Sequence, residues 1–149
     1  MKVLVQRARQ AQVTVDGNMV AAIGAGLLLL VGIAHDDTEQ DAQYLLRKTL
    51  ALRIFNDDNG VMNRSVLDAG AQILAVSQFT LMADTRKGNR PSYISAARPD
   101  VAKPYFDRFV QQLSEGLGRA VPVGVFGADM KVSLVNDGPV TILLDSRDR

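Results

Sequence analysis

The sequence predicts a layered fold of mixed α/β class. Three observations predict it. Apolar runs of strand length recur along the chain, two stretches carry apolar residues at helical spacing, and Gly, Pro, Asn and Asp punctuate the boundaries between them. Two helices and about six strands in mixed order give layers of sheet and helix around one core.

Met1–Val15 and Val20–Ala34 read as strands joined through Asp16-Gly17, a strong hairpin signal. Thr38 then offers an N-cap, with Asp41 three residues on as an imperfect capping box. Ala42, Leu45, Leu46, Thr49, Leu50 and Arg53 follow at helical spacing, which predicts a helix of about four turns. Asn56-Asp57-Asp58-Asn59-Gly60 is a turn. Gln72–Leu81 is the next strand. Its alternation places Leu74, Val76, Gln78 and Thr80 on one face, so a row that begins apolar ends polar. Such polar groups line a pocket or are satisfied structurally, and the pattern alone allows both.

Ala83–Pro99 is a long polar loop holding Arg86, Lys87, Arg90 and Arg98. A second helix is predicted over Asp100–Leu117, with Ala102, Tyr105, Phe106, Phe109, Val110 and Leu113 on one face. Pro104 is expected in its first turn, and Gly116 and Gly118 end it. Three short strands are expected to close the chain, at Val121–Phe126, Met130–Val135 and Val140–Leu144.

At 149 residues, 47% of them hydrophobic, the chain is expected to fold as one domain spanning 1–149 with its own core. It has no cysteine, which excludes disulfides, thiolate metal sites and a cysteine nucleophile. The opening residues lack the apolar core of a signal peptide. The run Val20–Ala34 is too short and too glycine-interrupted for a membrane span, so the expectation is a cytoplasmic protein that does not enter membranes. Lys plus Arg number 17 against 16 Asp plus Glu. That balance argues against a protein that coats duplex DNA, while leaving room for contact with one end of an RNA.

His35 is the only histidine, and it precedes Asp36-Asp37 in an expected solvated loop. A Ser-His-Asp triad would have to use it, and a zinc site built on several histidines is excluded. No ligand cluster suggests a metal, and nothing suggests a cofactor.

Two segments carry the functional signal. Asn136-Asp137-Gly138-Pro139-Val140-Thr141 separates two apolar runs. Gly138 can take backbone angles closed to other residues, and Pro139 fixes its own φ and offers no N–H. The result is a rigid corner of bare backbone suited to meeting a ligand, although Gly-Pro also marks ordinary turns. The second segment is Ser77-Gln78-Phe79-Thr80 at the end of an apolar strand.

Together, Ser-Gln-Phe-Thr at Ser77–Thr80 and Gly-Pro-Val-Thr at Gly138–Thr141 resemble the D-aminoacyl-tRNA deacylases, which remove D-amino acids wrongly attached to tRNA. The resemblance runs nearly the whole chain, through Val5-Gln6-Arg7, Val13–Gly17, Leu52–Phe55, Ala83–Ser92 and Phe126–Met130. It implies two stacked β-sheets covered by two helices, and a homodimer with active sites at the subunit interface. It implies an ester hydrolase whose substrate is D-aminoacyl-tRNA at its acceptor 3′ end. Ser77, Gln78, Phe79 and Thr80 are the expected catalytic segment. Backbone N–H groups near Phe79 and Thr80 are the candidate oxyanion donors, with Thr80 orienting the ester rather than attacking it. The 2′-hydroxyl of the terminal adenosine would replace a protein base. Gly138, Pro139, Val140 and Thr141 are the expected substrate-binding and chiral-rejection segment, a cis peptide joining Gly138 to Pro139 and the corner entering the partner's pocket. L-aminoacyl-tRNA would be rejected and glycyl-tRNA would leak through. Arg7, Arg86, Lys87 and Arg90 are candidate tRNA contacts, the loop basics being equally readable as solvation. Phe126, Met130 and Val135 are ambiguous between core and an adenine slot. The competing readings are a non-catalytic tRNA-binding module and a dimeric scaffold with no RNA role.

Overall fold

The computed structural model describes residues Met1–Arg149. Strand β1 (Lys2–Val15) pairs antiparallel with three others. Its first half meets β3 (Gly26–Gly32), its second half meets β2 (Asn18–Ile23), and β7 (Lys131–Asp145) runs along its other edge. Strand β6 (Gln72–Ser77) then adds to β3 in parallel. Helices α1 (Glu39–Ala51) and α2 (Pro99–Leu117) cover one side. A two-stranded ribbon, β4 (Phe55–Asn56) and β5 (Met62–Arg64), brackets the predicted turn at 56–60.

The layered α/β class is the observed one, and the layers arise from a single five-stranded sheet that curls. Leu27, Leu29 and Val31 of β3 face the main core with Ala42, Leu45, Phe106, Phe109 and Leu113 of the helices. Leu28, one residue out of phase, faces a second core with Leu74 and Val76 of β6. The other wall of that second core is Ala11, Val13, Ala21 and Ile23, from the far half of β1 and from β2. Both faces of β3 are therefore buried, which is why its sequence is an unbroken apolar run. Phe109 and Leu113 are fully buried, each contributing about 1.5–3 kcal/mol.

Five expectations are corrected. The run Val20–Ala34 is two strands broken at Gly24-Ala25, not one. The break lets the chain leave one half of β1 and rejoin the other. A Cβ on Gly26 would lie 2.1 Å from the Gln72 carbonyl oxygen, so only glycine permits this join. The strand predicted to reach Leu81 ends at Ser77, and Phe79–Met82 forms a 3-10 turn. Gln78 and Thr80 therefore do not continue a strand face. Gly32 makes room for that turn, since a Cβ there would meet the Leu81 Cβ at 2.9 Å. Val121–Phe126 is not a strand; it touches the sheet at a single bridge, Ala75 to Val123, because Pro122 interrupts the donor ladder. The two last predicted strands are one, β7, and the segment between them is an outward bulge. Pro104 lies inside α2 beyond its first turn, because the helix already opens on Pro99.

The Thr38 cap is fully formed. Asp41 accepts hydrogen bonds from the Thr38 N–H and hydroxyl, each at 2.8 Å, and from Arg149 at 3.0 Å. Burial pushes the Asp41 carboxyl up, but these donors outweigh it and hold the group far below the usual carboxylate range. A depressed folded pKa gives stability above the unfolded value that is lost as pH falls toward the folded one. Asp41→Asn is therefore expected to lose about 1 kcal/mol at pH 7. Urea unfolding at pH 7 and pH 3 should show the gap to wild type closing at the lower pH.

Candidate active site

The sequence of β6 and its exit builds a cavity of about 310 Å³. Ser77 and Gln78 supply its polar side, with Phe79 at the opening of the 3-10 turn. Val31 enters from β3 and Ile33 from the residue after it, Ala102 from α2, and Tyr93 and Phe126 from the segments on either side of that helix. Most of this lining is apolar, and none of it is His, Asp, Glu, Lys or Arg. Such a space suits a flat or apolar group held by a few polar contacts. A proton transfer there has no carboxylate, imidazole or amine to use, and the Tyr93 phenol is the one ionisable group in the lining. What the site can offer an ester is position and backbone dipoles.

Gln78 fixes the geometry of the exit. Its N–H bonds the Val31 carbonyl at 2.8 Å, and its carbonyl receives the Leu81 N–H at 3.2 Å. A helical turn that opens at Phe79 leaves its first N–H groups without partners in the turn. Thr80 is exposed and lies outside the cavity lining, its hydroxyl accepting from the Gln78 side-chain amide.

The second motif lies elsewhere on the protomer. Strand β7 pairs Thr141 with Gln6 and Asn136 with Ala8, so four residues of β7 stand opposite the single residue Arg7. Gly138 and Pro139 are exposed on this bulge and joined by a cis peptide. Gly138 has φ +123, and a Cβ there would lie 2.8 Å from Val140 Cγ2 and 3.0 Å from Arg7 Nη2. Thr141 is tied in place, its hydroxyl accepting from Asn136 Nδ2 at 2.9 Å and Gln6 Nε2 at 3.3 Å. The Val140 N–H donates to Asn136 Oδ1 at 3.2 Å. None of Gly138, Pro139, Val140 or Thr141 lines the cavity of its own chain.

Arg7 is a correction. Expected as an RNA contact, it is 7% exposed and turned inward. Its guanidinium donates to the carbonyls of Ile54 and Asp137 and to Asn56 Oδ1, and it pairs with the Asp137 carboxylate at 3.3 Å. It clamps the corner from beneath. Lysine could not reach these acceptors together, because it lacks the planar fork.

The loop basics divide. Arg86 is held by Asp84 at 2.6 Å, and this pairing lowers the Asp84 carboxyl to about 2. Arg98 pairs with Asp100, which leaves Lys87 and Arg90 as the loop's unpaired cations. Phe126 lines the cavity, whereas Met130 packs on the second core and Val135 is exposed on β7. His35 is exposed beside Asp36 and outside the cavity. Tyr93, Ala96 and Pro99 also line the cavity. Their position in a polar loop and helix start gave no sequence signal for this.

The family model for D-Tyr-tRNA(Tyr) deacylase matches residues 4–145. A D-aminoacyl-tRNA deacylase of Chromobacterium violaceum is 64% identical over 148 residues, covering 99% of each chain. One of Dechloromonas aromatica is 58% identical over 147 residues, covering 99% of this chain and 98% of the relative. Among solved structures, the c-Myc DNA Unwinding Element Binding Protein is 41% identical with a TM-score of 0.93, over 97% of this chain and 98% of its own. A structure described as a probable eukaryotic D-amino acid tRNA deacylase is similar in fold alone, at 19% identity and a TM-score of 0.83, over the same shares. On its full-length match and on these relatives, the chain belongs to the D-Tyr-tRNA(Tyr) deacylase family and is a D-aminoacyl-tRNA deacylase, a hydrolase acting on aminoacyl-tRNA.

Proposed function

We propose that the chain acts as one domain, in a cytoplasmic homodimer, and sorts aminoacyl-tRNA by shape alone. One observation carries the reading: the cavity and the Gly138-Pro139 corner are separate on one protomer, and the cavity holds no His, Asp, Glu, Lys or Arg side chain. A corner that cannot reach its own cavity is available to a partner's. The free edge of β7, with Val135 and Leu143 exposed along it, offers a surface for such pairing.

In this reading the terminal adenosine and its ester enter the cavity. Backbone N–H groups at Phe79 and Thr80 face the developing oxyanion, and the 2′-hydroxyl of the ribose serves where a protein base is missing. The partner's Gly138-Pro139 backbone fills the space an L side chain needs. The enantiomers have equal polarity, so a steric wall is the available discriminator. A D side chain points away from it. Glycine has no side chain to clash, so glycyl-tRNA is a slow substrate. Lys87 and Arg90 supply phosphate contacts near the acceptor end. The near-balanced charge gives no stripe for a duplex, so the DNA element in the name of the 41% identical structure is not carried to this chain.

The test is deacylation of D-Tyr-, L-Tyr- and Gly-tRNA side by side, with chelator present. Loss of the D ester, survival of the L ester and measurable loss of the glycyl ester are expected. Inertness toward all three in a folded sample that still binds tRNA would leave a non-catalytic binding module instead.

A further inference from the structure

We infer that Tyr93 is a positioning residue for the ester reaction, acting through Phe79. This rests on the deacylase reading above. Phe79 is 58% exposed, so little packing fixes its rotamer. Its one aromatic neighbour is Tyr93, edge-on at 71° with ring centroids 5.1 Å apart. That is the favoured geometry for two quadrupoles. Phe79 also opens the 3-10 turn, so its ring and its backbone N–H hang from the same Cα. A contact that steadies the ring steadies the proposed oxyanion donor.

Tyr93 can act as a brace because its own backbone is stitched down. Asp84 and Ser92 exchange two backbone hydrogen bonds, at 2.8 and 2.9 Å, just before it. The Ala96 N–H returns to the Tyr93 carbonyl at 3.0 Å. Ser95 Oγ donates to the Met82 carbonyl at 2.9 Å, and the Ala97 N–H to the Ile33 carbonyl at 2.9 Å. The loop is thereby anchored to the end of the same 3-10 turn and to the residue following β3. Both rings line the cavity, so the brace and the group it steadies face the same ligand space. Tyr93 takes no part in the side-chain hydrogen bonds around it, the nearest being that of Ser95. Its ring, not its hydroxyl, is the working part.

A double-mutant cycle on D-Tyr-tRNA deacylation tests this, using Phe79→Ala, Tyr93→Ala, both together, and Tyr93→Phe. Tyr93→Ala should lose about tenfold in kcat with little change in KM. Tyr93→Phe should stay within about twofold of wild type. The double variant should be no slower than Phe79→Ala alone, because the brace has nothing left to hold. Urea midpoints should match wild type throughout. Additive losses, equal damage from Tyr93→Phe, or a loss confined to KM would overturn the inference while leaving the deacylase reading intact. An inert wild type would overturn both.

Discussion

Arg7→Leu should destabilise the protein by about 2–4 kcal/mol and open its site to L-aminoacyl-tRNA. The stability loss follows from what the guanidinium leaves behind. The Ile54 carbonyl is buried and accepts from Arg7, and leucine offers it nothing. The Asp137 carbonyl loses a donor as well. Asp137 itself is 34% exposed at its side chain, so water and Arg9 compensate part of the lost ion pair. That exposure keeps the expected loss below that of a fully buried charge pair. The effect on selectivity follows from position. Arg7 is the one residue of β1 facing the four-residue bulge, and Gly138 sits on it. Without the clamp the corner is free to shift, and if it is the wall proposed above, its movement should relax rejection of the L ester. Urea titration reads the first effect, and the ratio of D-Tyr- to L-Tyr-tRNA deacylation reads the second. Arg7→Lys separates them, since it keeps the charge and fills much of the volume but cannot bond Ile54, Asn56 and Asp137 together. It should retain more stability than selectivity.

Local signals were legible where local rules decide the structure. Of the predicted helix face, Ala102, Phe106, Phe109 and Leu113 are buried and Tyr105 and Val110 half-buried. Thr38 and Asp41 cap α1 because both ends of that box lie within one turn. The misses share a different origin. The end of β6 at Ser77 depends on the space that Gly32 leaves on a neighbouring strand. The bulge at 137–140 exists only relative to β1, so its sequence looks like two strands and a turn. Arginine usually lies at the surface, and Arg7 is buried because four acceptors from two segments, 54–56 and Asp137, meet there. Both motifs could be found in the sequence; their separation on one protomer could not, since spacing along a chain says nothing of distance across it.

That separation sets up the sharpest test. Gly138→Ala should displace the corner, because its new Cβ would lie 2.8 Å from Val140 Cγ2 and 3.0 Å from Arg7 Nη2 at a φ of +123. Its homodimer should hydrolyse L-Tyr-tRNA at least about tenfold faster than wild type, the loss of roughly 1.4 kcal/mol of rejection. Phe79→Ala should leave a sound corner beside a failed pocket. Co-expression with two affinity tags isolates the mixed dimer. If the corner works across the interface, the mixed dimer has one site with intact pocket and intact corner, and one with neither. Its D-Tyr-tRNA activity should then be about half that of wild type, with L-Tyr-tRNA again spared. If the corner serves its own chain, the only working pocket in the mixed dimer keeps a displaced wall. L-Tyr-tRNA would then be hydrolysed as fast, per working pocket, as by Gly138→Ala alone. The two outcomes differ by the full tenfold, and they decide whether one protomer is half of an active site or the whole of one.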